Sequence, residues 1–333
     1  MPVGLPLEVL LVIPLAAAAG LDLYLTLLVL GAAHSMPWWD DTLPGALGDL
    51  DSLGVLTMAG GFYLLEFAAE RTATGALIWN TFHAVIRPLA GALLALLLLD
   101  GLPGLWVGAG ALISASIASL VHAVRSGDIV LDWLTPAAGP HRILLSLLED
   151  VVTLGLLTLV LDLPVWALGC SAVLILVGAV RGPSRVRAFA FAVRLATSRI
   201  FRSLEARRWT ETEDFPAWVR RALHGDVMAP GGGLRGSPAA ASHLPDTPAF
   251  TTGWVVVRGD TPIFVYRSFG RANVIPLGSL SATGVFEADF FRRVDFEAET
   301  GRPPSLFFDL GGPSPGSLSA EFDMPPSQGI ENL

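Results

Sequence analysis

Six apolar stretches dominate the first half of the chain: Leu5–Ala33, Leu53–Glu70, Phe82–Leu99, Leu105–Val124, Ile143–Leu161 and Val165–Val180. A helix needs ~20 mainly apolar residues, within a range of about 17–25, to cross the ~30 Å hydrocarbon layer of a bilayer. The first, second, fourth and fifth stretches meet that length. The third and sixth lie at its short end, where tilt or local thinning of the bilayer makes up the difference. The first is long, carries Pro14 and Asp22, and is expected to kink; with Glu8 and no basic residue at its start it reads poorly as a signal peptide. Charge is correspondingly scarce. Of the 333 residues 15% are charged and 52% hydrophobic, against about 25% charged in a soluble domain. That argues against an ordinary soluble enzyme. The net charge of -9 argues against a nucleic-acid partner. The lone cysteine, Cys170, leaves neither an intramolecular disulfide framework nor a thiolate zinc site.

Arginine placement orients the bundle. All 21 basic residues are arginine: Arg71, Arg87, Arg125 and Arg142 precede Val180, ten lie between Arg181 and Asp226, and seven follow. With the N-terminus inside and six spans, the segments Arg71–Thr81, Arg125–Arg142 and everything after Val180 face the cytoplasm. The outer turns, His34–Ser52, Asp100–Gly104 and Asp162–Pro164, hold acids and no arginine. This is the positive-inside distribution, and an odd span count would strand the arginine-rich segment outside. Trp38, Trp39, Trp106 and Trp166 stand at outer helix ends, as an interfacial aromatic belt requires. The expected address is a bacterial inner membrane, with both termini cytoplasmic.

Ionisable residues inside the spans carry the functional signal. A central Asp or Arg costs roughly 2.5–3.5 kcal/mol on the insertion scale, and a Leu returns only about 0.3–0.6. The thirteen Leu, Ile and Val of Ile143–Leu161 therefore give about -6 kcal/mol, which two central acids would cancel. Glu149 and Asp150 must lie off-centre, face other helices, bind a cation or proton, or pair with arginine. Asp22 follows the small-residue run Ala16–Gly20, Glu66 lies one turn from Glu70, His83 and Arg87 are an i,i+4 pair, and His122 and Arg125 an i,i+3 pair. On the six-span topology Glu66, His83, Arg87, His122, Glu149 and Asp150 share the inner half. Two readings follow. One is a proton- or cation-linked site lined by Glu66, His122, Glu149 and Asp150, with Arg87 as counter-ion or anion clamp. The other is a polar network that locks helices together. Neither calls for a cofactor, and no His-Glu-x-x-His motif marks a metal hydrolase.

Arg87–Leu105 and Glu149–Trp166 share a pattern: an inner charged start, a leucine-rich span and a tight Asp/Pro turn. Duplicated hairpins would give it, and so would chance alignment of leucine-rich sequence. In the fourth stretch Gly110, Ser114 and Ala118 recur every four residues, which suits close helix packing better than a permeation path.

The runs AAAAGLDLYLTLLVLGAA (Ala16–Ala33), LLEF (Leu64–Phe67), HAVIRPLAGALLA (His83–Ala95) and LLSLLEDV (Leu144–Val151) resemble a bacterial family of multi-spanning membrane proteins known only as a domain of unknown function. The resemblance covers residues 5–180, and His-x-x-x-Arg-Pro and Leu-Leu-Glu-Asp are its most specific parts. It implies a compact helical membrane domain and supplies no substrate. At Asp22 it leads one to expect a basic or neutral residue.

The remainder divides into a basic amphipathic segment (181–226), a flexible Gly/Ala/Pro linker (227–248), a small β domain (249–311) and a disordered tail (312–333). In the basic segment Val186, Phe189, Val193, Ile200, Phe201, Leu204 and Trp209 interleave with Arg185, Arg194, Arg199, Arg202, Arg207 and Arg208. Such a helix can lie on the anionic inner leaflet, each arginine contributing ~1 kcal/mol near the surface, or pack on the domain that follows. Strand-like alternation marks Gly253–Arg258, Ile263–Ser268, Ala272–Pro276, Ser281–Glu287, Phe291–Ala298 and Ser305–Leu310, with Arg258-Gly259-Asp260 as a hairpin turn. The run Trp254–Phe286 loosely resembles the strands of a bacterial pleckstrin-homology-like domain, which implies binding of lipid headgroups, of a protein, or of the bundle itself. The expected fold is thus an all-α polytopic membrane bundle of about six transmembrane helices with a small all-β cytoplasmic domain. The expected function is a small proton- or cation-linked transporter or channel. The alternative is a non-transporting anchor or scaffold whose β module binds a protein partner or lipid headgroups. An enzyme is not expected, because Phe250–Leu310 has no histidine, cysteine, lysine or phosphate-cradling loop.

Overall fold

The computed structural model describes residues 6–36, 39, 45–134, 141–201, 209–223, 234–259, 261–288, 290–298, 302–324 and 331–332. The chain forms two compact units, Met1–Ala190 and Phe191–Leu333.

The first unit is helical: α1 (Leu7–Leu21), α2 (Leu23–His34), a 3-10 turn (Gly45–Asp51), α3 (Leu53–Ala69), α4 (Ala73–Leu98), α5 (Gly104–Leu134), α6 (His141–Asp162) and α7 (Pro164–Phe201), whose residues from Phe191 belong to the second unit. Each apolar stretch falls on a helix, but the first makes two. The interruption is at Asp22, not Pro14. Pro14 is buried within α1, whereas Asp22 is extended (φ -142°, ψ 102°) and caps α2 by accepting the Leu25 N–H at 2.9 Å. At 15 and 12 residues the two pieces are about 22 and 18 Å long, each short of the ~30 Å hydrocarbon layer. Three helices are long and apolar enough to cross a membrane, over Thr74–Leu98, Gly104–Val130 and Pro164–Ser198, while Leu7–Leu21, Leu23–His34 and Leu53–Ala69 are shorter apolar helices.

α1 is the buried centre of this unit. Leu11, Leu15 and Ala16–Ala19 are almost inaccessible and pack with Leu94, Leu98, Leu157 and Val160. Small residues allow this approach. A Cβ on Gly20 would stand 2.9 Å from the Ala118 carbonyl oxygen, and one on Gly91 3.1 Å from that of Ser114, whose hydroxyl donates to the Gly91 carbonyl at 2.6 Å. The small-residue stripe of α5 is therefore a packing surface.

The second unit holds β1 (Thr210–Glu211), α8 (Ala217–Leu223), β2 (Arg235–Ser242), β3 (Thr251–Arg258), β4 (Thr261–Ser268), β5 (Arg271–Pro276), β6 (Ala282–Glu287), β7 (Phe291–Phe296), β8 (Ser305–Asp309), α9 (Pro315–Glu321) and β9 (Glu331–Asn332). Their sheet runs β5-β4-β3-β2-β8-β7-β6-β9, antiparallel except for β6–β9, with β1 on β2. Both faces are covered. Val255 and Phe264 point into one core with Leu306 and Phe308, and Val256 and Val265 into another with Phe215 and Val219. This accounts for the unbroken apolar run Trp254–Val257, because a strand buried on two sides has no polar face.

Three expectations are corrected. Residues 235–242 are no linker: β2 is a central strand, paired with β3 and β8, and the rest of 227–233 lies outside the described residues. The tail from 312 is not wholly disordered, since α9 buries Leu318, and Phe322 stacks edge-on against Phe296 at 5.5 Å. The basic segment begins as a continuation of α7, and its described apolar residues do not lie on a leaflet. α7 continues to Phe201, and its apolar face is covered by protein: Phe189 meets His122 edge-on at 5.2 Å, Phe191 meets Phe307 at 6.1 Å, and Leu195 and Ala196 are buried. Over the described residues, that apolar face is not free to lie on a leaflet.

Candidate functional site

The break at Asp22 sets the site. Where α1 stops, its last carbonyls lose the amides that a continuing helix would supply. Arg87, from the middle of α4 and fully buried, fills the gap. Its Nη1 donates to the Gly20 and Leu21 carbonyls, each at 2.5 Å, and its Nη2 to Glu66 Oε1 at 2.5 Å. A cation at a helix C-terminus also complements the helix dipole.

Arg125 of α5 makes the second half. Its Nε donates to Glu149 Oε2 at 2.6 Å, its Nη1 to Glu66 Oε1 at 2.9 Å, and its Nη2 to Glu70 Oε2 at 3.1 Å. Glu66 thus lies between two guanidiniums, with 5% of its side chain exposed. Beside it, Tyr63 donates to Asp150 Oδ2 at 2.8 Å. Asp22, Glu66, Glu70, Asp150 and Arg125 line one small cavity, while Glu66 Oε2 and Arg87 Nε, both buried, have no hydrogen-bond partner among the described residues. Among the described side chains two guanidiniums face five carboxylates here. An uncompensated buried charge is expensive, and the pairs to Arg87 and Arg125 offset part of that cost. Among the described residues no three His, Cys, Asp or Glu side chains are grouped to hold a metal ion.

The histidines stand apart from the acids. His83 Nδ1 faces the Trp79 carbonyl and Nε2 the Tyr24 hydroxyl, both at 2.8 Å. A carbonyl only accepts, so Nδ1 carries the hydrogen and Nε2 accepts from tyrosine. His122 Nε2 lies 3.1 Å from the Asn80 carbonyl and therefore donates; Ser126 donates to Asn80 Oδ1 at 2.9 Å. The two rings are 6.4 Å apart, and neither hydrogen-bonds an acid of the network.

A second cavity, of about 310 Å³, opens among α1, α5, α6 and α7. Glu149 and Arg125 form part of its wall, with Asp128, Arg181 and Arg185 and a lining of Leu, Val and Ile. The network and this cavity share the Arg125–Glu149 pair.

Of the residues the sequence singled out, Glu66, Arg87 and Glu149 join one hydrogen-bonded network through Arg125, and Asp150 borders it. His83 and His122 pack beside it. Sequence reasoning left out Asp22, Glu70, Arg125 and Tyr63 as site residues. The signals were the one-turn spacing of Glu66 and Glu70 and the His122–Arg125 pair. Arg185 belongs to the cavity wall, paired to Asp128 and to the Arg181 carbonyl. Arg194 lies on α7; the side chain of Arg199, and Arg202, Arg207 and Arg208 entirely, lie outside the described residues. Trp39 donates to Asp162 at 2.9 Å, joining two turns that the charge pattern assigns to the outer side.

No curated protein and no solved structure matches the chain significantly. A family model described as a domain of unknown function (DUF4126) matches residues 9–182, which spans α1 to the middle of α7 and every residue of the charged network. The chain belongs to the DUF4126 family.

Proposed function

We propose that this chain is a six-span protein of a bacterial inner membrane, with both termini cytoplasmic, and that its helical unit is a small proton- or cation-linked transporter or channel. On this reading α1 and α2 together make the first span. Discontinuous helices beside ionisable groups are how many secondary transporters build binding sites at membrane depth, and irregular backbone there is tolerated only inside protein or along a water-filled cavity. The carboxylate surplus supports a proton or cation as the coupled species. One observation carries the reading: Glu149 belongs both to the buried network, through Arg125 at 2.6 Å, and to the wall of the 310 Å³ cavity. Its side chain, 27% exposed, is the most accessible of the acids that bridge to Arg125. Protonation of Glu149 would release Arg125 and alter the balance around Glu66 and Glu70. The test is flux in proteoliposomes under an imposed pH gradient. Wild-type protein should show pH-dependent flux and Glu149→Gln should lose most of that dependence. Unchanged dependence in the variant refutes the role of Glu149. Absence of any flux in the wild type leaves the network as a helix lock and the chain as an anchor for its β unit.

A further inference from the structure

The 310 Å³ cavity has a composition that points to a ligand class. We infer that it binds an amphipathic organic anion, with the acyl part against Leu120, Val121, Leu174 and Ile175 and the anionic head on Arg181. This names the ligand class for the cavity used in the proposed function, but the binding itself does not depend on transport.

Charge accounting selects the sign. Of the three arginines in the wall, Arg125 is engaged by Glu66, Glu70 and Glu149, and Arg185 by Asp128. Arg181 is exposed, and among the described residues no acidic side chain pairs with it; its carbonyl is already taken by Arg185 Nη1 at 2.8 Å. Of the acids in the wall, Asp128 pairs with Arg185 and Glu149 with Arg125, so among the described residues Arg181 is the wall's guanidinium without an acidic partner. Guanidinium is a fork donor suited to carboxylate or phosphate. The other walls offer a ligand mainly apolar contact.

Size narrows the choice. Pockets for small molecules run from about 300 to 1,000 Å³, so this is a small one. At ~30 Å³ for each water-sized group it holds about ten non-hydrogen atoms, the size of a medium-chain carboxylate such as octanoate. α7, which forms one wall, is the least buried of the three long apolar helices, with 17% of its spanning window buried against 33% for α4 and 28% for α5, which would suit entry from a bilayer. The end of an anionic lipid offers the same chemistry as a free carboxylate, and the experiment separates the two sources.

The full chain is prepared with Cys170→Ser and Ile175→Cys, so that one thiol reports on the cavity. Alkylation by a maleimide is followed in phosphatidylcholine nanodiscs with octanoate, octylamine or octanol added. Octanoate should protect the thiol while octylamine and octanol do not. Arg181→Gln should raise the half-protecting octanoate concentration at least about tenfold, the factor expected for losing a hydrogen bond to a charged group. Gly178→Leu should abolish protection by filling the space: a Cβ there meets only Val124 Cγ2, at 3.9 Å, so the variant has room to fold, and its thermal unfolding verifies that. Protection without octanoate in nanodiscs containing phosphatidic acid, again lost in Arg181→Gln, assigns the same site to a bilayer lipid. Equal protection by all three amphiphiles, or an Arg181→Gln variant that protects like its parent, overturns the inference. Because alkylation and not flux is read, this result stands or falls separately from the transport reading.

Discussion

Arg87→Met is the most demanding test of the network. The side chain is fully buried and makes three charge-assisted hydrogen bonds at 2.5 Å, to the Gly20 and Leu21 carbonyls and to Glu66. Removing one partner of a buried ion pair costs about 3–5 kcal/mol, because the other charge is left without compensation. Glu66 retains Arg125 at 2.9 Å, which softens that term. The two carbonyls lose that donor, and on the membrane reading hydrocarbon supplies no water to replace it. We therefore expect a loss of about 3 kcal/mol, the low end of that range. Glu66→Gln should cost less, about 2 kcal/mol, because Arg125 keeps Glu70 and Glu149 and Arg87 keeps its carbonyls. The double variant should be less destabilised than the sum of the two by about 1–3 kcal/mol, as for residues in one network. The measurement is reversible unfolding in mixed micelles, followed by tryptophan fluorescence. An Arg87→Met loss under about 1 kcal/mol, or strict additivity, would show that the ion pair and the helix end it caps are not what holds α1, α3 and α4 together.

Asp22→Ala should cost about 1 kcal/mol through loss of the α2 cap, whereas Asp22→Asn keeps the cap and should be near neutral in unfolding experiments. Gly127→Ala places a methyl group on the Arg185 carbonyl and should cost about 1–3 kcal/mol by forcing α5 and α7 apart, read as a lower unfolding temperature in detergent. In the β unit, burial, and secondarily Arg302, hold the His243 imidazole below its ordinary value of 6.5. The folded state thus favours the neutral ring. As pH falls through about 6.5 the unfolded chain takes the proton first, so stability is greatest above that pH, declines below it and levels off beneath the folded value. Hydrogen exchange of the β2 and β3 amides at neutral and mildly acidic pH measures this. His243→Asn should flatten the pH profile and suits the positive φ of 58° at that position; an unchanged slope would remove His243 as its source.

Much of the architecture was legible because it follows from periodicity and apolar length. Every apolar stretch became helix, and the six strand assignments of the C-terminal third match β3 to β8 within about two residues, the usual uncertainty of element ends. β2 was illegible for a physical reason. Its sequence, RGSPAAAS, has poor strand propensity, and it is a strand because large neighbours need small partners: Ala239 lies opposite Phe308 and Ala240 opposite Phe307. Pro238 is tolerated because the β8 ladder starts one residue later, at Ala239. α9 is short and was hidden in a Pro/Ser/Gly composition, although Ser314 is a recognisable cap. In the site, the acids and Arg87 could be picked out as expensive intramembrane charges. That Arg125 binds three acids at once could not, because pairing between α3, α5 and α6 is set by tertiary packing. The separation of His83 and His122 from the acids has the same origin, since each finds a carbonyl of α4, that of Trp79 for His83 and that of Asn80 for His122, and not a carboxylate.

The dependence of the end of α1 on Arg87 also bears on biogenesis. The carbonyls of Gly20 and Leu21 are satisfied by a side chain 67 and 66 positions downstream. During synthesis α1 leaves the ribosome well before that arginine is made. The end of α1 is therefore completed only when the helix containing Arg87 arrives beside it, and until then its carbonyls need water or a chaperone.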